Sequence, residues 1–136
     1  MGRVLGVDYG TVRVGLAVTD PGGILAQPFS VIARDGAEDE ICVHVRAMDV
    51  TEIVVGMPVR LDASHREEAI EAEAFALALE HRTGLPVARF DERLSTIQAE
   101  RAMRAAGTKA KDQRGVVDKI AAALVLQAFL DARRAR

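Results

Sequence analysis

Three short apolar runs rich in β-branched residues lie near the start of the sequence, and they constrain the fold more than any other feature. They cover residues 4–7, 13–20 and 29–33. Glycine and proline separate them, and the PGG at 21–23 is a strong turn signal. Three successive strand-like runs joined by short connections predict an antiparallel meander.

The hydrophobic pattern then changes to the period of a helix. Ile41, Val45 and Met48 follow the i, i+4, i+7 spacing of one helix face. The next segment, EIVVGMP at 52–58, is a continuous apolar run that ends at glycine and proline. Such a run is typical of a strand that is buried on both faces.

Helices and one more strand are predicted in the second half. Ser64 and Glu67 form a capping box for a long helix that ends near residue 83, where Gly84 and Pro86 follow. The fifth strand is PVARFD, and a short helix after it ends at Gly107. The apolar face of a C-terminal helix is traced by four residues: Val117, Ile120, Leu124 and Ala128.

The succession βββ-α-β-α-β-α-α predicts an α/β fold. Its mixed five-stranded sheet would combine a three-strand antiparallel meander with two parallel strands, flanked by helices. With 136 residues, of which 49% are hydrophobic and 28% charged, the chain fits a single domain over residues 1–136.

Charge and cysteine content narrow the setting of the protein. The net charge is only −2, but residues 100–119 hold six Lys or Arg against three Asp or Glu, so basic character is concentrated towards the C-terminus. The single cysteine, Cys42, excludes an internal disulfide and favours a reducing, cytoplasmic location. The N-terminus lacks the pattern of a signal peptide and no run has membrane-spanning length, so we expect no membrane partner.

Four acidic residues lie at predicted strand ends or on a helix flank. Asp8 closes the first strand, Asp91 and Glu92 close the fifth, and Asp118 borders the apolar face of the last helix. Carboxylates gathered at strand ends suit Mg²⁺, and two such ions can activate water against a phosphodiester. Each residue alone also has an ordinary interpretation, which is a turn for Asp8 and a solvated or ion-paired charge for Glu92 and Asp118.

Four motifs, in order and over nearly the whole chain, resemble those of the YqgF family, also called RuvX. They are VDYGTVRVGLAVTD (7–20), VVGMP (54–58), DERLST (91–96) and VDKIAAALVLQAFL (117–130). The resemblance implies a ribonuclease H-like three-layer fold and a metal-dependent hydrolase that cleaves phosphodiester bonds. It also implies that Asp8, Glu92 and Asp118 are the catalytic and metal-binding acids, with Asp91 as a further candidate ligand.

Members of that family are described as nucleases that mature the 5′ end of pre-16S ribosomal RNA and as Holliday junction resolvases. The resemblance therefore implies Mg²⁺ or Mn²⁺ in a two-metal site and a nucleic-acid substrate. We favour pre-ribosomal RNA, with the small-subunit precursor as partner, over branched DNA. A non-catalytic RNA-binding factor is the alternative class, and both a monomer and a homodimer are compatible with the sequence. An ATPase is disfavoured, because ATPases with a similar hairpin need two such domains.

Candidate contacts to the substrate come from basic residues and glycines. The basic candidates are Arg13, Arg93, Lys109, Lys111 and Arg114. Arg13 is as consistent with a carboxylate ion pair as with a phosphate contact. Gly10 and Gly15 allow a turn or a close backbone approach, and Gly10 would leave room for a phosphate. Ala63 stands where the family pattern has a glycine, so the conformation of that loop and any substrate contact there stay open.

Overall fold

Five strands and three helices make up the part of the chain that the structure describes. This computed structural model describes residues 2–58, 66–92 and 114–135, with the backbone only for 114–117. In chain order the elements are β1 (Arg3–Tyr9), β2 (Arg13–Thr19), β3 (Ala26–Ala33), α1 (Ala37–Ala47), β4 (Val50–Met57), α2 (Arg66–Thr83), β5 (Val87–Asp91) and α3 (Arg114–Arg134). The five predicted strands are confirmed, whereas the cap at Ser64 and the short helix before Gly107 lie outside the described residues.

The sheet has the order β3-β2-β1-β4-β5. β1 pairs antiparallel with β2, which pairs antiparallel with β3, while β4 is parallel to both β1 and β5. This confirms the predicted meander with two added parallel strands. Because β3 runs parallel to β1, the carboxyl ends of β1, β3, β4 and β5 lie along one edge of the sheet, which we call the carboxyl edge.

The central strands alternate their side chains between two separate cores. Leu5 and Val7 of β1 belong to the core that includes residues of α1 and α2, whereas Val4 belongs to the core under α3. In β4, Val55 and Val54 divide in the same way. Burial on both faces explains why these strands are continuous apolar runs in the sequence.

The buried face of α3 differs from the predicted one. Ile120, Leu124 and Ala128 are only half-buried, and the side chain of Val117 is not among those described. The face that packs on the sheet consists of Ala122, Ala123, Val125, Leu126 and Leu130. The prediction was wrong because residues 120–126 are all apolar, so helical periodicity does not single out one face.

A glycine in β1 sets how closely α3 approaches the sheet. A Cβ atom at Gly6 would lie 2.8 Å from the Cβ of Leu126 and 3.1 Å from the carbonyl oxygen of Ala122. Tertiary packing therefore chooses the inward face of α3. None of the described helices is both long and apolar enough to cross a membrane.

Candidate active site

Asp8 lies at the carboxyl edge between two glycines on neighbouring strands. Its sheet partners are Gly15 on β2 and Gly56 on β4. Asp8 also shares the α3 face of β1 with Val4, because residues four apart in a strand point to the same side. The flanking positions carry no side chain, so other groups can come close to the carboxylate.

Each flanking glycine makes room for another acidic residue. A Cβ atom at Gly56 would lie 3.1 Å from Oε1 of Glu92, so the Glu92 side chain passes directly over this position. A Cβ atom at Gly15 would lie 2.1 Å from the carbonyl oxygen of Asp118, which means that the backbone of α3 rests on β2 here. Residues 8, 92 and 118, distant in sequence, therefore gather around one point of the sheet.

Glu92 and Asp8 share a hydrogen bond between their carboxyl groups. The pKa of Glu92 is raised to about 9, chiefly by burial and further by the hydrogen bond to Asp8 and by repulsion from neighbouring carboxylates. Burial also raises the pKa of Asp8; the bond from Glu92 opposes that rise and repulsion by Asp118 adds to it. At neutral pH the pair therefore holds a proton, which Glu92 donates to Asp8.

Asp118 is bound by Arg13 of β2. The Nε–H of Arg13 donates to Oδ2 of Asp118 at 2.7 Å, and the two side chains are 36% and 24% exposed. Of the two interpretations of Arg13, the structure has the ion pair. The pair links the end of β2 that lies beside Asp8 to the start of α3.

The turn between β1 and β2 is narrow because of Gly10. Its N–H donates to the carbonyl of Arg13 at 3.0 Å, and a Cβ atom at Gly10 would lie 2.5 Å from that carbonyl oxygen. Close approach within the hairpin, rather than a positive φ, thus requires glycine at this position.

A cavity of about 160 Å³ opens at the carboxyl edge beside Asp8. Its described lining is Asp8, Tyr9, Gly10, Thr11, Arg34, Pro58, Glu68, Glu71 and Glu92. Sequence reasoning did not identify Arg34, Glu68 or Glu71 as site residues. The position of Arg34 could have been predicted from the meander. It directly follows the third strand, which runs parallel to the first, so it lies at the same edge of the sheet as Asp8.

The remaining candidates are placed less fully. Asp91 ends β5 opposite Met57, and its charge contributes to the raised pKa of Glu92. Arg114 begins α3, but its side chain is not described. Four residues singled out in the sequence lie outside the described part of the chain: the basic Arg93, Lys109 and Lys111, and Ala63 of the loop after β4.

The donor chemistry of Asp8 and Glu92 suits a hard divalent cation. Among the described residues, no three His, Cys, Asp or Glu side chains lie together in a way that could hold a metal ion. Two carboxylates are nevertheless a sufficient protein contribution for Mg²⁺, which completes its shell with water and substrate phosphate. Asp8 and Glu92 are close enough to hydrogen-bond to each other, so both carboxyl groups can offer oxygens to the same cation.

Curated relatives resemble the chain over almost its full length. A protein of Mycobacteroides abscessus is 44% identical over 98% of this chain and 83% of its own length. One of Anaeromyxobacter dehalogenans is 47% identical, over 96% of this chain and 98% of its own length. Both carry the name "Putative pre-16S rRNA nuclease".

The fold is also that of a known nucleic-acid enzyme. The structure of Thermus thermophilus RuvC in complex with a Holliday junction substrate matches 98% of this chain and 96% of its own, with a TM-score of 0.64 and 17% identity. At that identity the likeness concerns the fold alone, and it confirms the ribonuclease H-like architecture expected from the motifs. Residues 2–132 match the family described as "RuvX: Holliday junction resolvase". A match over this much of the sequence means that the chain belongs to the RuvX family.

Proposed function

We propose that this protein is a divalent-metal-dependent nuclease that hydrolyses phosphodiester bonds in structured nucleic acid, and that its substrate is the 5′ end of pre-16S ribosomal RNA. The observation that carries the proposal is the pairing of Asp8 with Glu92 at the carboxyl edge, with Asp118 close enough to raise the pKa of Asp8. Ligands of open α/β sheets bind at this edge. The names of the curated relatives favour ribosomal RNA.

The catalytic carboxylates have distinct tasks in this proposal. Asp8 and Glu92 would hold Mg²⁺ or Mn²⁺, which when bound would provide an activated water and stabilisation of the leaving oxygen. Glu92 must release its proton before it can act as a ligand, because ligand carboxylates bind in the ionised form. Asp118 contributes negative charge from α3, and Arg13 fixes its orientation at 2.7 Å.

A junction resolvase is the second candidate, supported by the description of the family and by the fold shared with RuvC. A four-way junction has two-fold symmetry, so this function predicts a homodimer, whereas trimming an RNA end is possible for a monomer. The small-subunit precursor would then be a partner only in the RNA function. We place either activity in the cytoplasm, where the buried free thiol of Cys42 stays reduced.

A cleavage assay with two labelled substrates tests the proposal. Pre-16S RNA carrying its 5′ leader and a four-way DNA junction are incubated with the protein in Mg²⁺, Mn²⁺ or chelator. We expect metal-dependent shortening of the RNA leader, and loss of cleavage by at least about 100-fold in Asp8→Asn. Cleavage of the junction alone would replace the first candidate by the second.

The control variant is Asp49→Asn, which makes the same chemical change at the opposite edge of the sheet. Asp49 precedes β4 and has a φ of 54°, a conformation that asparagine tolerates. We expect full activity from this variant. Full activity from Asp8→Asn would refute the catalytic assignment, and absence of cleavage of either substrate by the natural sequence would favour the non-catalytic binding factor.

A further inference from the structure

Arg34 lies in the wall of the same cavity as Asp8 and Glu92, directly after β3. Among the described residues that line this cavity, it is the only basic one. Four of the others are acidic: Asp8, Glu68, Glu71 and Glu92. A phosphate that approaches this cavity therefore meets repulsion from most of its charged groups and attraction from Arg34.

The guanidinium of Arg34 is held on the side of the β1–β2 hairpin. Its Nε–H donates to the hydroxyl of Tyr9 at 2.9 Å, and its Cζ lies 4.4 Å from the centre of the Tyr9 ring. A further N–H donates to the carbonyl of Thr11 at 3.3 Å. Tyr9 in turn stacks on Phe75 of α2, with 4.1 Å between the ring centres. The side chain is thus oriented by contacts that do not involve an acidic group.

The remaining contact of Arg34 is an ion pair with an exposed carboxylate of α2. One of its terminal N–H groups donates to Oε2 of Glu71 on α2 at 2.7 Å, and the Glu71 side chain is 53% exposed. Ion pairs this exposed stabilise a protein little, so the Glu71 carboxylate can be displaced by a better anion at small cost. The planar guanidinium fork matches phosphate oxygens as well as carboxylate oxygens.

We propose that Arg34 binds a backbone phosphate of the nucleic-acid strand beside the Asp8–Glu92 pair, and that the Glu71 carboxylate occupies the position of that phosphate when no substrate is bound. This inference rests on the proposed function for the nature of the ligand. Tyr9 and Thr11 hold the guanidinium in place while the anion is exchanged. Glu71 therefore competes with substrate, and Arg34 contributes to binding.

The test measures binding in the Asp8→Asn background, so that cleavage does not interfere. The probes are a fluorescein-labelled RNA hairpin with a 5′ single-stranded extension and a labelled four-way DNA junction, followed by anisotropy over a range of salt concentrations. When Arg34→Ala is combined with Asp8→Asn, the Kd of whichever probe binds should rise about tenfold, and the slope of log Kd against log salt concentration should fall by about one. Arg34→Lys in the same background should restore the salt slope but only part of the affinity, because lysine keeps the positive charge and lacks the planar guanidinium that makes two parallel hydrogen bonds.

The Glu71→Gln variant distinguishes phosphate binding by Arg34 from a purely structural role of the Arg34–Glu71 ion pair. If Glu71 competes with phosphate, its neutralisation should lower the Kd by about twofold to fivefold, the factor expected for loss of an exposed ion pair. If the Arg34–Glu71 pair only supports the fold, the same variant should weaken binding or leave it unchanged, and that result would overturn the proposal.

Arg89 provides the matched control. It also joins a strand to α2 through carboxylates, donating to Glu73 at 2.7 Å and pairing with Glu80, but it does not line the cavity. Arg89→Ala should change the Kd by less than about twofold while lowering the urea midpoint of unfolding. An Arg34→Ala variant that behaves like Arg89→Ala in binding would refute the inference.

The outcomes separate this inference from the proposed function. Cleavage by the natural sequence together with no effect of Arg34→Ala on Kd rejects only the inference. Binding that depends on Arg34, without cleavage of either substrate by the natural sequence, rejects only the nuclease assignment. If neither probe binds, both are rejected.

Discussion

Arg13 and Asp118 are 105 positions apart in the chain, and a 2.7 Å hydrogen bond joins them. The bond connects β2 to the start of α3, where the α3 backbone rests on Gly15. Asp118 in turn raises the pKa of Asp8 through its charge. The orientation of one candidate catalytic acid is therefore set by a residue of the hairpin that presents another.

A double-mutant cycle with Arg13→Ala and Asp118→Asn should give a coupling free energy below about 1 kcal/mol, because both side chains are partly exposed and water screens their attraction. Urea unfolding of the four proteins measures it. A coupling of several kcal/mol would mean that the pair acts as a buried ion pair.

Without metal, the free energy of unfolding should fall as the pH rises from the ordinary pKa of Glu92, 4.5, to its folded-state pKa of about 9. The pKa of Glu92 is about 9 in the folded chain against an ordinary value of 4.5, so the folded state holds a proton that the unfolded state has released. The folded state thus binds more protons across this range, and the free energy of unfolding decreases with pH. The raised pKa of Asp8 acts in the same direction.

Urea denaturation in chelator across this pH range tests the prediction. Glu92→Gln should remove most of the decrease, because glutamine does not titrate and can still donate to Asp8. An equally steep decrease in Glu92→Gln would assign the effect to other groups.

Added Mg²⁺ or Mn²⁺ should stabilise the fold more at high pH than at low pH. Metal binding replaces the proton on Glu92, so it releases a proton and becomes more favourable as protons become scarce. Thermal unfolding with and without metal measures the increase in Tm. The increase should be lost in Asp8→Asn and kept in Asp49→Asn; equal increases in both variants would place the metal elsewhere.

Gly15→Ala should destabilise the protein by about 3 kcal/mol, since the added methyl would overlap the backbone of α3 and force the helix away from β2. Gly22→Ala is the control, because its Cβ would meet no backbone atom closely: the nearest atoms are Oδ2 of Asp20 at 3.0 Å and the Ile24 side chain at 3.7 Å, in an exposed turn. Chemical denaturation compares the two. A similarly small decrease in the free energy of unfolding for both variants would show that α3 can move away from β2 at little energetic cost.

The succession of strands and helices could be predicted because strand runs and turn residues are local signals. Apolar runs with glycine or proline near their ends marked all five strands, although Pro28 lies inside β3 and Gly56 inside β4, and Gly84 marked the end of α2. The buried face of α3 could not be predicted from the same kind of signal. Its apolar residues continue around the helix, and the face that packs inward is determined by the close contact of Ala122 and Leu126 with Gly6.

By itself, the sequence determined the order of the elements and placed Asp8 and Glu92 at strand ends and Asp118 on a helix flank, since backbone propensities and hydrophobic periods act over neighbouring residues. Only the tertiary structure decided that Gly56 admits the Glu92 side chain beside Asp8 and that Arg13 binds Asp118. It also brought Arg34 into the wall of the same cavity. These contacts depend on sheet register and on which glycines lie opposite each other, and both arise only when distant segments pack together.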